Sequence, residues 1–263
     1  MGQQIRDPKI AALAALVKQA KRIAFLGGAG VSRASGIPDF RSEDGIYQAQ
    51  THYGASPETL LSRPFFDRHP AVFFDYYKTF LLYPDAVPNA AHKALAALER
   101  PNAGRGTLTA VITQNIDDLH ARAGSKTVLE LHGSVHRNRC MRCGAFYSLD
   151  AMLKKSEAAQ DGVPRCGCGG IVKPDVVLYG ENLDSRVLNE SLCHIAEADL
   201  LIIGGTSLAV YPAAGLSDAF RGSDIAVINL SETERETGAS LTIRRPIEQV
   251  LTELMEMLGE PLY

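Results

Sequence analysis

No stretch of this chain is apolar for long enough to span a bilayer, and its N-terminus lacks the apolar core of a signal peptide. Membrane partners are therefore not expected, and the expected location is cytoplasmic. An excess of charge of one sign is also missing. The 27 Lys and Arg nearly balance the 30 Asp and Glu, for a net of -3, so direct nucleic-acid binding is not expected. Cysteine is scarce, and four of the five are clustered, which fits a metal site in a reducing compartment better than a disulfide framework. Met1-Gly2 opens like a myristoylation signal, but Arg6 stands where Ser or Thr is needed. No internal repeat or low-complexity run occurs. What is left is an ordinary globule, 46% apolar with a mean hydropathy of -0.04. At 263 residues it is one large domain, or a large one with a small partner.

The stretch that organises the chain is Ile112-Thr113-Gln114-Asn115-Ile116-Asp117. An apolar run over 108–112 reads as a buried parallel strand that stops abruptly in amides and a carboxylate. A short strand over 128–131 delivers His132 to the same edge. In an open α/β sheet, groups just past the C-terminal ends of strands sit where ligands bind. Other tips agree. A strand over 22–26 runs into Gly27-Gly28-Ala29-Gly30-Val31-Ser32, a turn whose backbone can approach a phosphate. Strands over 199–203 and 225–228 end in Gly205-Thr206-Ser207 and Asn229. Together these tips form a dinucleotide-sized site. Arg33 occupies the last glycine position of the dehydrogenase fingerprint G-x-G-x-x-G, which argues against ordinary hydride transfer.

Cys140-x-x-Cys143 and Cys166-x-Cys168 supply the four soft ligands that tetrahedral Zn²⁺ prefers. The spacer from Gly144 to Arg165 is slightly long for a zinc ribbon, and the second pair is C-x-C. With four cysteines no coordination position stays open, so the zinc is expected to be structural.

The α/β rhythm lapses over 42–83 into aromatic, helix-like pieces, read as an insertion covering the cleft. The expected fold class is α/β: a Rossmann-like parallel sheet with helices on both faces, plus a small domain made of a zinc ribbon and a helical insertion. The expected NAD-binding domain comprises residues 1–41, 84–136 and 174–263, and the small domain residues 42–83 and 137–173. Asp7-Pro8 predicts a helix to about residue 20, and Pro88-Asn89 another to about 99. His92 and His120 are expected to be packing or surface residues, and Cys193 a buried small hydrophobe. Pro212 is expected to start a helix. The segment 172–182 reads as extended and open at one edge. From Pro246, Ile247, Val250, Leu251, Leu254, Met255 and Leu258 share one helical face.

Gly28-Ala29-Gly30-Val31-Ser32, Ser35-Gly36-Ile37-Pro38-Asp39-Phe40-Arg41, Thr113-Gln114-Asn115-Ile116-Asp117 and His132-Gly133 resemble the signatures of the sirtuin family. The four cysteines, Tyr179-Gly180-Glu181, Gly205-Thr206-Ser207-Leu208 and Ile228-Asn229-Leu230 follow in family order. The resemblance covers nearly the whole chain and is greatest to bacterial members. It implies NAD-dependent deacylation of an acyl-lysine protein or peptide, releasing nicotinamide and O-acetyl-ADP-ribose.

By that resemblance Gly28, Ala29 and Gly30 cradle the diphosphate, Arg41 and Gln114 contact phosphate or ribose, and Phe40 shields the pocket. Asn115 and Asp117 hold the nicotinamide amide. Thr206, Ser207 and Asn229 line the ribose and phosphate side, and Ser32, Asp39, Ile116, Gly205 and Leu230 complete the expected cofactor contacts. The acyl oxygen attacks ribose C1′, after which His132 acts as general base on a ribose hydroxyl, a task suited to imidazole near neutral pH. The segment Val176, Val177, Leu178, Tyr179, Gly180 and Glu181 is expected to receive the peptide by strand addition. Gly27 stands where the family usually has Thr. No Tyr-x-x-Arg pair occurs to accept an acidic acyl group, so acetyl and longer neutral acyls are expected. Two rival readings are a mono-ADP-ribosyltransferase that uses the same NAD site, and a catalytically idle NAD-sensing or zinc-ribbon interaction module. No oligomeric state follows from the residues.

Overall fold

Val, Ile and Leu dominate the strand segments because strands of a parallel sheet are covered on both faces. In the structure, a computed structural model describing residues 7–38 and 50–262, six parallel strands form one sheet. They are β1 (Arg22–Gly27), β2 (Thr107–Thr113), β3 (Val128–Glu130), β7 (Leu200–Gly204), β8 (Asp224–Ile228) and β9 (Leu241–Ile243). Their spatial order is β3-β2-β1-β7-β8-β9, so the chain reverses its direction of travel between β1 and β7. A crevice opens outside the carboxyl ends at such a reversal.

Alternation along β1 feeds two cores. Ile23 and Phe25 join a cluster with helices α1 (Pro8–Gln19), α5 (Ala90–Leu98) and α9 (Ile247–Met257). Ala24 and Leu26 join the other face, beneath α8 (Ser185–Ala196) and the 3₁₀ segment Ala213–Ala219. Helix α1 starts as expected, with Asp7 accepting from the Lys9 N–H and Pro8 in the first turn. The expected stripe on α9 is buried from Ile247 to Met255, with Leu258 packed at its margin. Pro212 is followed by 3₁₀ geometry, not by the α-helix that the sequence suggests.

The small unit has a three-stranded antiparallel sheet, β5-β4-β6, built from β4 (Gly133–Cys140), β5 (Phe146–Ser148) and β6 (Val172–Val176), with α7 (Leu149–Ala158) beside it. Pro174 is tolerated because β6 is an edge. Helices α2 (Pro57–Leu60), α3 (Arg63–Arg68) and α4 (Pro70–Phe80) form the insertion. A further short helix, α6 (Leu119–Arg122), follows β2. Phe66, Phe73, Phe74 and Tyr77 of the insertion share one core with Val135, Leu149, Met152, Val163 and Val172. Strands β4 and β6 run through residues 136–137 and 173–174, where the sequence suggested boundaries. Among the described residues no helix is long and apolar enough to cross a membrane.

Two expectations are corrected here. Cys193 is exposed, because Ser191 and Ile195 hold the buried face of α8. The extended segment from Val172 stops being a strand at Val176, since the backbone beyond it bonds to other partners described below.

Candidate active site

Strand β1 empties into a turn from which side chains are sterically excluded. A β-carbon on Gly30 would lie 2.6 Å from the Gly205 Cα, and the Gly30 N–H donates to the Gly205 carbonyl at 2.8 Å. Gly205 itself has φ of +61°, the left-handed region that glycine adopts without cost. The turns after β1 and β7 therefore meet backbone to backbone at Gly30 and Gly205. The space beside Gly27 is filled by the Phe25 ring, 2.4 Å from where a β-carbon would stand, so glycine at that position accompanies a large neighbour.

Strand β2 delivers the polar group. Ser32 Oγ donates to Asp117 Oδ2 at 2.6 Å and accepts from Asn115 Nδ2 at 2.9 Å. Asp117 Oδ1 also accepts from the Leu119 N–H at 3.0 Å, so both carboxylate oxygens are held. Gln114 Nε2 donates to Thr206 Oγ1 at 3.1 Å, joining β2 to β7 across the crevice. Asp118, at φ 64°, and Leu208, at φ 53°, are left-handed non-glycine residues beside these groups, a costly backbone geometry that clusters at functional sites.

His132 follows β3, and its Nδ1 stands 3.0 Å from the Gln114 carbonyl oxygen. A carbonyl can only accept, so Nδ1 carries the proton and Nε2 has the basic lone pair.

These side chains converge on a cavity of about 300 Å³. Of the expected site residues it is lined by Gly28, Ala29, Ser32, Gln114, Asn115, Ile116, Asp117, His132, Gly205, Thr206 and Ser207. Val176, Val177, Leu178, Tyr179, Gly180 and Glu181 line it as well. Gly30 instead packs on Gly205. Asn229 and Leu230 stand beyond the cavity wall, the Asn229 amide donating to Ser231 and Leu230 lying 54% exposed. Asp39, Phe40 and Arg41 lie outside the described residues. An apolar arm of the cavity is formed by Leu61, Phe80, Leu81, Val135 and Leu149, none of which the sequence singled out.

The expected open edge over 177–181 is already engaged. The Val177 N–H donates to the His132 carbonyl at 3.0 Å. Tyr179 donates to Leu61 and accepts from the Arg63 N–H, so this residue pairs with the insertion. Glu181 turns back inside its own loop, accepting from the Leu178 N–H at 2.9 Å, and both of its carboxylate oxygens meet cations.

His92, read from the sequence as a packing or surface residue, lies fully buried with its Nε2 3.5 Å from Ser32 Oγ. Its Nδ1 accepts from the Asn89 N–H, three residues back at the helix cap. That Asn-x-x-His spacing was the available signal. Burial pushes His92 down to about 4, with Asp117 pulling the other way. His120 packs against it at 4.7 Å between ring centroids and is depressed by burial and then by His92.

Cys140, Cys143, Cys166 and Cys168 bring their sulfurs within 4.8 Å of one another. The close pairs are Cys140–Cys168 and Cys143–Cys166, each at 3.5 Å. Zn–S bonds of about 2.3 Å in a tetrahedron place sulfurs about 3.8 Å apart, so this set fits zinc. Tyr147 adds a hydroxyl that donates to Cys166 at 3.1 Å. Cys166 is pushed down to about 6, first by the Cys168 N–H and then by Tyr147. Cys143 is instead pushed up to about 12, the Ala145 N–H pulling it down but the neighbouring sulfurs outweighing that, so a bound cation is what would ionise the whole set. The four cysteines are thus positioned to bind a structural zinc.

Known proteins are similar to this chain over most of its length. A family model described as the Sir2 family matches residues 28–212. The chain is 50% identical over 252 residues to an NAD-dependent protein deacetylase of Clostridium perfringens, covering 95% of this chain and 100% of that protein. It is 49% identical over 244 residues to one from Clostridium acetobutylicum, covering 92% and 96%. A solved Sir2 variant with a deacetylated p53 peptide and 3′-O-acetyl ADP ribose is similar at a TM-score of 0.86 and 37% identity, covering 96% of this chain and 99% of that one. A Sir2 complex with p53 peptide and NAD⁺ is similar at 0.83 and 36%, covering 95% and 99%.

Proposed function

The chain belongs to the Sir2 family, and from that premise we propose that His132, Asn115 and Asp117 carry its activity as an NAD-dependent protein deacetylase. The observation that carries the residue assignment is the His132–Gln114 hydrogen bond, which puts a basic Nε2 on the same cavity as the Ser32–Asn115–Asp117 network.

NAD supplies the ADP-ribosyl group that accepts the acyl, with nicotinamide as the leaving group. The Gly28-Ala29 turn admits a diphosphate closely, and Thr206 and Ser207 face it from β7. Asn115 and Asp117, locked by Ser32, hold the carboxamide in one orientation and thereby favour departure of the ring. With NAD and substrate bound, the acyl oxygen would take nicotinamide's place on ribose C1′, and His132 Nε2 would remove the proton from a ribose hydroxyl so that it attacks the acyl carbon. The acyl C–N bond would break to free the lysine amine, and water would supply the hydroxyl left at C1′. Val177, tied through its N–H to the His132 carbonyl, brings an extended acyl-lysine peptide alongside the base. Its acyl chain enters the apolar arm lined by Ile116, Val135 and Leu149. With no Tyr-x-x-Arg pair in the chain, neutral acyl groups are the substrates.

The NAD-binding part comprises residues 1–41, 84–136 and 174–263, and the small part residues 42–83 and 137–173, with β4 and β6 crossing from one to the other. A reducing, cytoplasmic setting suits four thiolates kept for metal.

Incubating the protein with NAD⁺ and an acetyl-lysine peptide, and weighing the products by mass spectrometry, tests the reading. O-acetyl-ADP-ribose and free lysine are expected. A protein or peptide heavier by one ADP-ribose, with the acetyl group retained, would make it a mono-ADP-ribosyltransferase instead.

A further inference from the structure

Glu181 lines the cavity, yet its carboxylate is consumed within the protein. Oε2 accepts from Lys173 Nζ at 3.1 Å and from the Leu178 N–H at 2.9 Å, while Oε1 accepts from Arg63 Nη1 at 3.0 Å. Lys173 Nζ also donates to the carbonyls of Val176 at 2.9 Å and Pro174 at 3.2 Å. Arg63, besides its N–H to Tyr179, is anchored to Asp67 one turn along α3. The loop that follows β6 is thus gripped from two sides, by a lysine of the small sheet and an arginine of the insertion. The side chains of Lys173 and Glu181 are only 14% and 19% exposed, so water does not replace these bonds easily. Neither Lys173 nor Arg63 lines the cavity.

We propose that Lys173 and Arg63 are positioning residues that hold loop 176–181, through Glu181 and the loop carbonyls, in the shape an acyl-lysine peptide requires; this rests on the deacetylase reading above. A loop fixed before binding costs the peptide no ordering, whereas a loosened one charges that cost to association alone. The loop touches His132 only at its main-chain carbonyl, while the imidazole is held by Gln114 and the NAD contacts lie on other strand tips, so the effect falls on the peptide's affinity and KM and not on the chemical step.

The test measures binding of a fluorescent acetyl-lysine peptide by anisotropy, together with kcat and both KM values, for the full chain and its variants. For Lys173→Met the peptide Kd and KM are expected to rise about tenfold, with kcat and the KM for NAD⁺ within about twofold of the wild type. Lys173→Arg, which keeps the charge, is expected to recover most of the loss. Arg63→Met, which frees the other carboxylate oxygen, is expected to act in the same direction and replaces Lys173→Met should that variant fail to fold. Unchanged peptide affinity in a folded variant, or a fall in kcat with peptide KM intact, overturns the proposal. A wild-type chain that binds no acetyl-lysine peptide would overturn the deacetylase reading itself.

Discussion

The Nδ1 of His132 donates to the main-chain carbonyl of Gln114 at 3.0 Å, so the residue before Asn115 selects the tautomer of the base. One strand tip therefore both presents the Asn115 amide and orients the imidazole on its neighbour. Replacing His132 by Ala is expected to leave NAD⁺ binding and zinc content intact while lowering acetyl-peptide turnover by about 10²–10⁴-fold, the usual worth of a general base. Full turnover by the variant would remove His132 from the mechanism.

Ser32 is the joint of the polar network, and it donates to a carboxylate whose other oxygen is already held. Ser32→Ala takes away one hydrogen bond from each of Asn115 and Asp117. Loss of a charge-assisted bond of about 1.5–3 kcal/mol corresponds to a drop in kcat/KM for NAD⁺ of about ten- to a hundredfold. Steady-state kinetics at saturating peptide measures it, and an unchanged value would mean that Asn115 and Asp117 hold their places unaided.

Tyr147 bears on the metal without ligating it. Its hydroxyl reaches Cys166, and Lys155 lies 5.2 Å above its ring. Partners of metal ligands are worth about 10–100-fold in affinity, so Tyr147→Phe should surrender zinc to a chromogenic chelator at correspondingly lower chelator concentration. Complete removal of zinc is expected to unfold the small unit, because the two cysteine turns are then left to hydrogen bonds such as those from Arg142 to the Cys168 carbonyl and from the Met141 N–H to Ile171; circular dichroism and the melting curve report this. Chemistry lost with the fold intact would contradict a structural metal.

Acid should weaken the fold through the two buried histidines. An unfolded histidine titrates near 6.5, whereas folded His92 is held to about 4 and His120 is also depressed. Above the unfolded value both states are neutral and the full stability is present. As pH falls below it, the unfolded chain binds protons that the folded one refuses, so stability is lost progressively toward the folded value. His92 alone accounts for about 2 kcal/mol at pH 5. Neither ring nitrogen of His120 has a hydrogen-bond partner among the described residues. His120→Leu is therefore expected to keep its stability at pH 7 and to lose less of it than the wild type by pH 5, as read from urea midpoints. Identical pH slopes for the two proteins would exclude His120 from the effect.

Local patterns carried most of this structure. The strands were legible because parallel strands are apolar on both faces, and their tips because polar residues interrupt those runs abruptly. Four cysteines on glycine-flanked turns announced their own convergence. The partners of Glu181 were not legible for the opposite reason: Lys173 and Arg63 come from a second sheet and an inserted helix, and no local pattern links them to it. Cys193 could have been placed by helical phase, since Ser191 and Ile195, four residues apart, mark the buried face of α8 and position 193 points away from it. The apolar arm of the cavity was hidden because Leu61, Phe80 and Leu149 look like any other core residues until three separate segments pack together.

The main-chain contact between Gly30 and Gly205 restricts how this protein can be re-engineered toward a different dinucleotide. Any methyl added at either position would wedge apart the two halves of the crevice, misaligning groups on β1 and β7 together. Libraries that seek altered cosubstrate preference should therefore vary Thr206, Ser207 and the helix beyond, and keep those two positions as they are.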